Sequence, residues 1–281
     1  MNQLKSVFIS VYVTLLWLAV IHGAYMLVTG QTWHGVGVVL SALPMASFFA
    51  YIFLMNVART PAGLSLFVLP TMAGAVVSLF VNLSDWSWLS IAYSWGVGAV
   101  GAFLYVYWYS TFADRDKTLL AVGHQMPEFV LQDTTGKDIS SSSFLGAPAL
   151  FIFYRGNWCP LCMAQIKEIA SQYNELSRRG ISVVLVSPQP HENTRALAKK
   201  FDVSFQFMVD AHNRAATKLG ILAASGTPKG LEVLGYESDT VMPTVVITDA
   251  KGRILFADLT DNYRVRPEPG VFLAALDNIG M

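Results

Sequence analysis

The chain has 281 residues, 53% of them hydrophobic and only 14% charged. That is too apolar for ordinary soluble usage, and the charge is segregated: residues 1–113 hold only Lys5, Arg59 and Asp85, while the remainder has one more acidic than basic residue. Neither part has the basic stripe that nucleic acid would require. The 2 cysteines, Cys159 and Cys162, are too few for a disulfide framework. Without histidines at paired spacing nearby they do not close a four-ligand zinc site, so the spacing points to redox chemistry with no metal.

Four apolar runs come first, roughly Val7 to Val28, Val36 to Val57, Leu64 to Leu83 and Leu89 to Phe112. Each is about 20 residues, enough to cross a hydrocarbon core of about 30 Å as a helix. A removable signal peptide is the rival reading of the first run, but three more runs follow and no small-residue cleavage site stands out. Trp33, Trp86 and Trp88 stand where interfacial aromatics belong. Lys5, Arg59, Arg115 and Lys117 fall on one side of a four-span path. The positive-inside rule then places both termini, and with them the soluble half, on the cytoplasmic side of a bacterial-type cell membrane, with the periplasmic side as the alternative. His22 lies inside the first run, where a histidine can mark a quinone, metal or proton site; a packing histidine is the simpler reading. Pro44 and Pro70 read as tolerated kinks. Gly74, Ala75, Gly96, Gly98 and Gly101 let helices approach closely, in a compact bundle or a homo-oligomer. With no cysteine, the spans cannot relay electrons by dithiol exchange.

After residues 114–122 the pattern shifts to short alternating elements. Phe129 to Leu131 and the turn Thr134 to Lys137 read as strand and turn, and Ala149 to Tyr154 as a buried strand. It feeds into Trp158-Cys159-Pro160-Leu161-Cys162. A helix follows, because Cys162, Ile166, Ile169, Tyr173 and Leu176 recur at helical spacing before a stop at Gly180. Ile181 to Ser187 reads as a central strand. Helices are expected over Glu192 to Phe201, Asn213 to Leu219 and Pro269 to Asn278, and a hairpin joins Val245 to Thr248 with Ile254 to Ala257. The fold class is therefore α/β, a mixed sheet between helices, preceded by an all-α transmembrane bundle. The domains are expected at 1–113 and 123–281.

Pro160 suits the first position of a helix, since its missing N–H has no intrahelical partner there. That makes Cys159 the N-cap, near unsatisfied N–H groups and the positive dipole end that favour a thiolate. Cys162, three residues on, shares its face and belongs to the apolar stripe, so it is expected to be the more buried. Cys159 is then the attacking sulfur and Cys162 the resolving one. Arg155 is the only cation close in sequence to Cys159; a surface ion pair is its alternative reading.

The soluble half resembles the thioredoxin-like superfamily, specifically the peroxiredoxin-like branch of the alkyl hydroperoxide reductase/thiol-specific antioxidant family. The resemblance rests on Gly123-His124-Gln125-Met126-Pro127-Glu128-Phe129, Phe153 through Cys162, Val186-Ser187-Pro188-Gln189, Met242-Pro243-Thr244 and Tyr263 through Pro269. It implies a thioredoxin-like fold and a cis peptide at Pro243, with the Met242 backbone free to pair with a substrate strand. It also implies that Trp158, Pro160, Met242, Pro243 and Thr244 support or bind substrate. Peroxidases of the family place Thr three residues before the attacking cysteine and Arg just before the cis-proline position, where they bind peroxide oxygens. Gly156 and Met242 stand there instead. Thiol–disulfide exchange is thus the expected activity, with no cofactor beyond the dithiol, a thiol or disulfide substrate, and an unidentified electron donor. A thiol peroxidase or a redox-sensing module are the alternatives.

Overall fold

The computed structural model describes residues 2–112, 115–201 and 203–277. Four helices come first: α1 (Asn2–Val28), α2 (Thr32–Leu54), α3 (Ser65–Ser84) and α4 (Trp88–Tyr109), each long and apolar enough to cross a membrane. The second ends three residues short of Val57, where Asn56 turns left-handed at φ 51°, a conformation Asn tolerates. α4 is irregular, with π turns over Ala92–Val100 and Tyr105–Tyr109. Leu66, Phe80, Leu83 and Phe53 face outward, whereas Leu16, Met45, Phe48 and Tyr105 fill the interior.

Small residues set the helix spacing. A Cβ on Gly74 would meet the backbone of Leu40 and Ser41, so α2 and α3 touch backbone to backbone there. Gly98 and Gly101 press on Ser41 and Tyr12, but Gly96 faces open space. His22 packs its ring against Tyr25 and Tyr93.

The α/β part is built on a seven-stranded sheet of order β2-β1-β5-β4-β3-β8-β9. Its strands are β1 (Val130–Gln132), β2 (Asp138–Ser140), β3 (Ala149–Phe153), β4 (Ser182–Ser187), β5 (Gln206–Val209), β8 (Thr244–Thr248) and β9 (Ile254–Asp258). β6 (Leu222–Ala223) and β7 (Thr240–Val241) form a separate small pair. β3, β4 and β5 are parallel, and β8 runs antiparallel to β3 with Thr244 opposite Phe153. All five residues of β3 are buried, which is why its apolar run lacks alternation. The helix expected after the cysteines is two: α5 (Pro160–Ser171) and α6 (Tyr173–Arg178), broken at Gln172 with φ −96° and ψ 6°. α7 (His191–Ala198), α8 (Arg214–Lys218) and α9 (Pro269–Asp277) complete the helices; Asn278, expected in the last, lies outside the described residues.

The two parts share one apolar cluster, running from Ile9, Phe49 and Tyr105 into Cys159, Leu161 and Ile166. Polar contacts pin them together. Arg264, fully buried, donates to Ser110 Oγ (2.8 Å), Thr60 Oγ1 (2.9 Å), Pro61 O (2.9 Å) and Ala62 O (2.7 Å). Tyr263 and Tyr105 join hydroxyls at 2.7 Å, and Arg59 pairs with Glu168. From the α/β side, the Lys229 N–H reaches Ser6 O at 3.0 Å.

Candidate active site at the junction of bundle and sheet

β3 delivers the chain to the loop Tyr154–Trp158, held by Gln189: its Oε1 accepts the Asn157 N–H at 2.8 Å, and its amide donates to the Tyr154 hydroxyl. Gly156 has φ 146°, and a Cβ there would stand 2.8 Å from Trp158 Nε1. A side chain at position 156 therefore has no room in this backbone. Cys159 is the N-cap of α5 with Pro160 at its first position, and its carbonyl accepts the Cys162 and Met163 N–H groups, both at 3.1 Å. The Cys159 side chain itself makes no capping bond. Both sulfurs are buried, Cys159 at 1% and Cys162 at 0% exposure, so the expected difference in burial is absent: the bundle covers the outer one.

The decisive cation is one that spacing does not reveal. Arg266, far along the chain, places Nη2 3.3 Å from Cys162 Sγ and 3.9 Å from Cys159 Sγ. Gln165 Oε1 (2.8 Å) and Tyr263 O (3.0 Å) accept from its other nitrogens and aim it. Its only trace in the sequence is membership of the segment Tyr263 through Pro269. Burial opposes a thiolate at both sulfurs. At Cys162 the hydrogen bond from Cys159, the Arg266 charge and the Arg155 backbone N–H outweigh it and hold the thiol well below its ordinary pKa. At Cys159 burial, with the hydrogen bond to and the charge of Cys162, pushes the thiol well up. In the reduced pair the buried guanidinium thus favours ionisation of the inner sulfur, in contrast to the expectation from the helix N-terminus alone.

Arg155 is buried, not a surface ion pair. Its guanidinium lies 4.6 Å from the Trp158 ring centre and 5.3 Å from that of Tyr263, and it donates to Gly226 O. Burial disfavours its charge, but the Tyr109 and Cys159 groups beside it outweigh that and raise its pKa. Its Nε and the Trp158 Nε1 are buried without a hydrogen-bond partner. Both side chains line a cavity of about 350 Å³ that also contains Cys159 and Pro160. Its other walls come from α1 (Ile9, Val13) and α2 (Phe49, Ile52, Phe53), so Cys159 borders a space closed by membrane helices.

The Pro243 segment differs from the expectation. Among the described residues every peptide bond is trans, Met242–Pro243 included. The Met242 N–H is spent on Ile221 O at 2.7 Å and its carbonyl accepts from Thr244 Oγ1 at 2.7 Å, leaving no free backbone edge for a substrate strand. Arg115 fixes this turn, donating to Thr244 Oγ1 (2.9 Å) and Pro243 O (3.1 Å). Met242 borders a second cavity with Arg155 and Tyr263, and Cys159 does not line it. Among the described residues no group of three or more His, Cys, Asp or Glu side chains is placed to hold a metal.

Residues 122–257 match the AhpC/TSA family. This part of the chain is an AhpC/TSA domain. Similar proteins include chloroplastic peroxiredoxin Q of Sedum lineare, 29% identical over 124 residues, 44% of this chain and 67% of that one. The thiol-disulfide oxidoreductase ResA of Bacillus cereus is 24% identical over 159 residues, 56% of this chain and 78% of its own. The crystal structure of peroxidoxin BcpB from Mycobacterium tuberculosis aligns with 57% of this chain and 98% of that one, at TM-score 0.46 and 22% identity. The four helices precede the AhpC/TSA domain, and α1, α2 and α4 supply 7 of the 16 residues that line the cavity at its cysteine.

Proposed function

We propose that the chain is a membrane-anchored thiol–disulfide oxidoreductase that cycles a Cys159–Cys162 disulfide. One observation carries the reading: two sulfurs share one buried guanidinium, and Cys159 borders the cavity beside α1 and α2. Access makes Cys159 the attacking sulfur. It bonds to one sulfur of a substrate disulfide while the other leaves as a thiolate, which takes up the Cys159 proton. Cys162, ionised beside Arg266, then attacks Cys159, closes the internal disulfide and releases the second substrate thiol. The likeness to ResA and peroxiredoxin Q supports an oxidoreductase whose substrates are thiols or disulfides. Trp158 and Arg155 form the cavity wall, and Pro160 starts the helix. Met242, Pro243 and Thr244 shape the neighbouring turn. The dithiol is the whole redox group, with residues 1–113 as anchor, 114–122 as juncture and 123–281 as catalytic domain.

Purified full-length protein should reduce a small disulfide such as oxidised glutathione, and Cys162→Ser should accumulate a mixed disulfide on Cys159. No internal disulfide under oxidation, and no trapped adduct, would refute the reading. The second reading, a thiol peroxidase, draws on Arg266, a cation at the sulfurs where Met242 leaves the usual Arg absent. Peroxide consumption far faster than by a free thiol, lost in Cys159→Ser, would favour it.

The soluble part is assigned to the cytoplasmic side. The four cations that support this also serve the fold: Lys5 donates to Thr111 O, Arg59 pairs with Glu168, Arg115 holds Pro243 and Lys117 pairs with Asp261.

A further inference from the structure

The geometry points to a lipid-borne quinone as the two-electron partner of the Cys159–Cys162 pair, bound in the cavity between α1, α2 and the AhpC/TSA domain. This rests on the thiol–disulfide reading above. The cavity, about 350 Å³, has Cys159 on one side and Ile9, Val13 and Ile52 on the other. Phe53 lies on its wall and is 64% exposed on the apolar face that lipid would cover, so on the α1–α2 side the cavity borders bilayer-facing surface, while Lys229 borders it on the side of the α/β part. A ligand arriving by that route must be apolar. Phe49, Trp158, Tyr109 and Tyr263 supply aromatic walls suited to a flat ring.

The polar groups narrow the class. Ser10 is occupied, donating to Lys229 O at 2.8 Å, and Lys229 Nζ pairs with Glu232. The donors left over are Arg155 Nε and Trp158 Nε1, both buried without a partner on residues that line the cavity beside Cys159. Buried donors require acceptors, and a quinone carries carbonyl oxygens on a flat ring. An acyl hydroperoxide would need donors around a single O–O group, and the Thr position that supplies one is closed by Trp158.

The chemistry balances. Cys159 gives its proton to a quinone oxygen as its sulfur adds to the quinone, and the Cys162 thiolate attacks the Cys159 sulfur, forming the S–S bond and breaking the bond to the quinone. The two electrons pass to the quinone, whose oxygens take one proton from Cys159 and one from water to give the quinol. Arg266 stabilises the ionised reduced pair, and stabilising the reduced form makes a disulfide more oxidising. Its re-formation then needs a strong acceptor, which a quinone is.

The test uses reduced full-length protein in phosphatidylcholine nanodiscs with ubiquinone-1, a fully substituted ring that does not arylate thiols. One quinol should form per Cys159–Cys162 disulfide, and Cys159→Ser should form none. Val13→Phe, at the half-buried cavity mouth, should slow quinol formation at least ten-fold in protein with unchanged thermal unfolding. An azido-ubiquinone should label α1 or α2 peptides, competed by ubiquinone-1. Quinone reduction no faster than by equimolar glutathione, or oxidation by a lipid hydroperoxide only, would overturn the proposal. If the pair still equilibrates with glutathione disulfide in those cases, the thiol–disulfide reading survives; if it does not, both fail.

Discussion

Arg266 Nη2 lies 3.3 Å from the Cys162 sulfur, joining residues 104 positions apart. The contact makes the inner cysteine the acidic one, while the cavity makes the outer cysteine the accessible one. Proton affinity and access are thereby divided between the two sulfurs.

Arg266→Gln should move the titration of the Cys162 thiol upward. A hydrogen bond to a charged group contributes about 1.5–3 kcal/mol, equivalent to about one to two pH units. Arg266→Lys should recover part of the shift. Ultraviolet absorbance of the thiolate across pH on Cys159→Ser protein, which isolates Cys162, provides the measurement. An unchanged profile would remove Arg266 from the ionisation.

The same contact predicts how the reduced protein responds to pH. The Cys162 pKa is lowered on folding, so its stabilisation is complete above the ordinary thiol value near 8.5 and is lost as pH falls toward the lowered one. Cys159 is raised, so above about 8.5 it opposes folding, because the unfolded thiol ionises more readily. Thermal unfolding of the reduced form should strengthen with pH up to that value and then weaken. Cys159→Ser/Cys162→Ser protein should lack both trends.

Gly156→Thr should not create a peroxidase. The new side chain meets Trp158 at a left-handed φ, a strain of about 1–3 kcal/mol. Lower thermal stability, with disulfide exchange reduced and peroxide consumption not raised, is the expected result.

Arg264→Ala should loosen the grip of the bundle on the sheet. It strips partners from Thr60, Pro61 and Ala62 in one step, and each buried group left unpaired costs about 1–3 kcal/mol. Hydrogen exchange should rise in the α2–α3 connection and at the end of α4 while the far sheet edge at β2 stays protected.

Gly74→Val should separate α2 from α3, because its Cβ meets backbone that cannot rotate away. Overpacking of this kind costs about 1–3 kcal/mol. Gly96→Ala meets nothing and should be neutral or slightly stabilising. Melting curves in detergent compare the two.

Sidedness needs a reporter other than the buried cysteines. Val233, 87% exposed, replaced by Cys in a background with Cys159→Ser and Cys162→Ser, should resist a membrane-impermeant maleimide in intact cells. Labelling would place the domain on the outer side.

Much of the fold was legible because its signals are local. Apolar runs of helical length, the all-buried run of β3, the Asp249–Gly252 turn and the Pro160 helix start depend on neighbours in sequence. The short strands β2 and β5 lacked such signals, since three or four residues carry too little periodicity. The break at Gln172 was hidden because the apolar spacing continues through it into Tyr173 and Leu176.

The pair Cys159 and Cys162, and their position at the start of α5, were determined by the sequence alone, because a strand, a Pro at the first helical position and a three-residue spacing are local geometry. Which sulfur carries the charge was a tertiary matter. It depends on Arg266, delivered by the chain before α9, and on the closure of α1 and α2 over Cys159. Residues separated by a hundred or more positions leave no mark on each other's spacing, and only the packed chain brings their charge and apolar surface to the sulfurs.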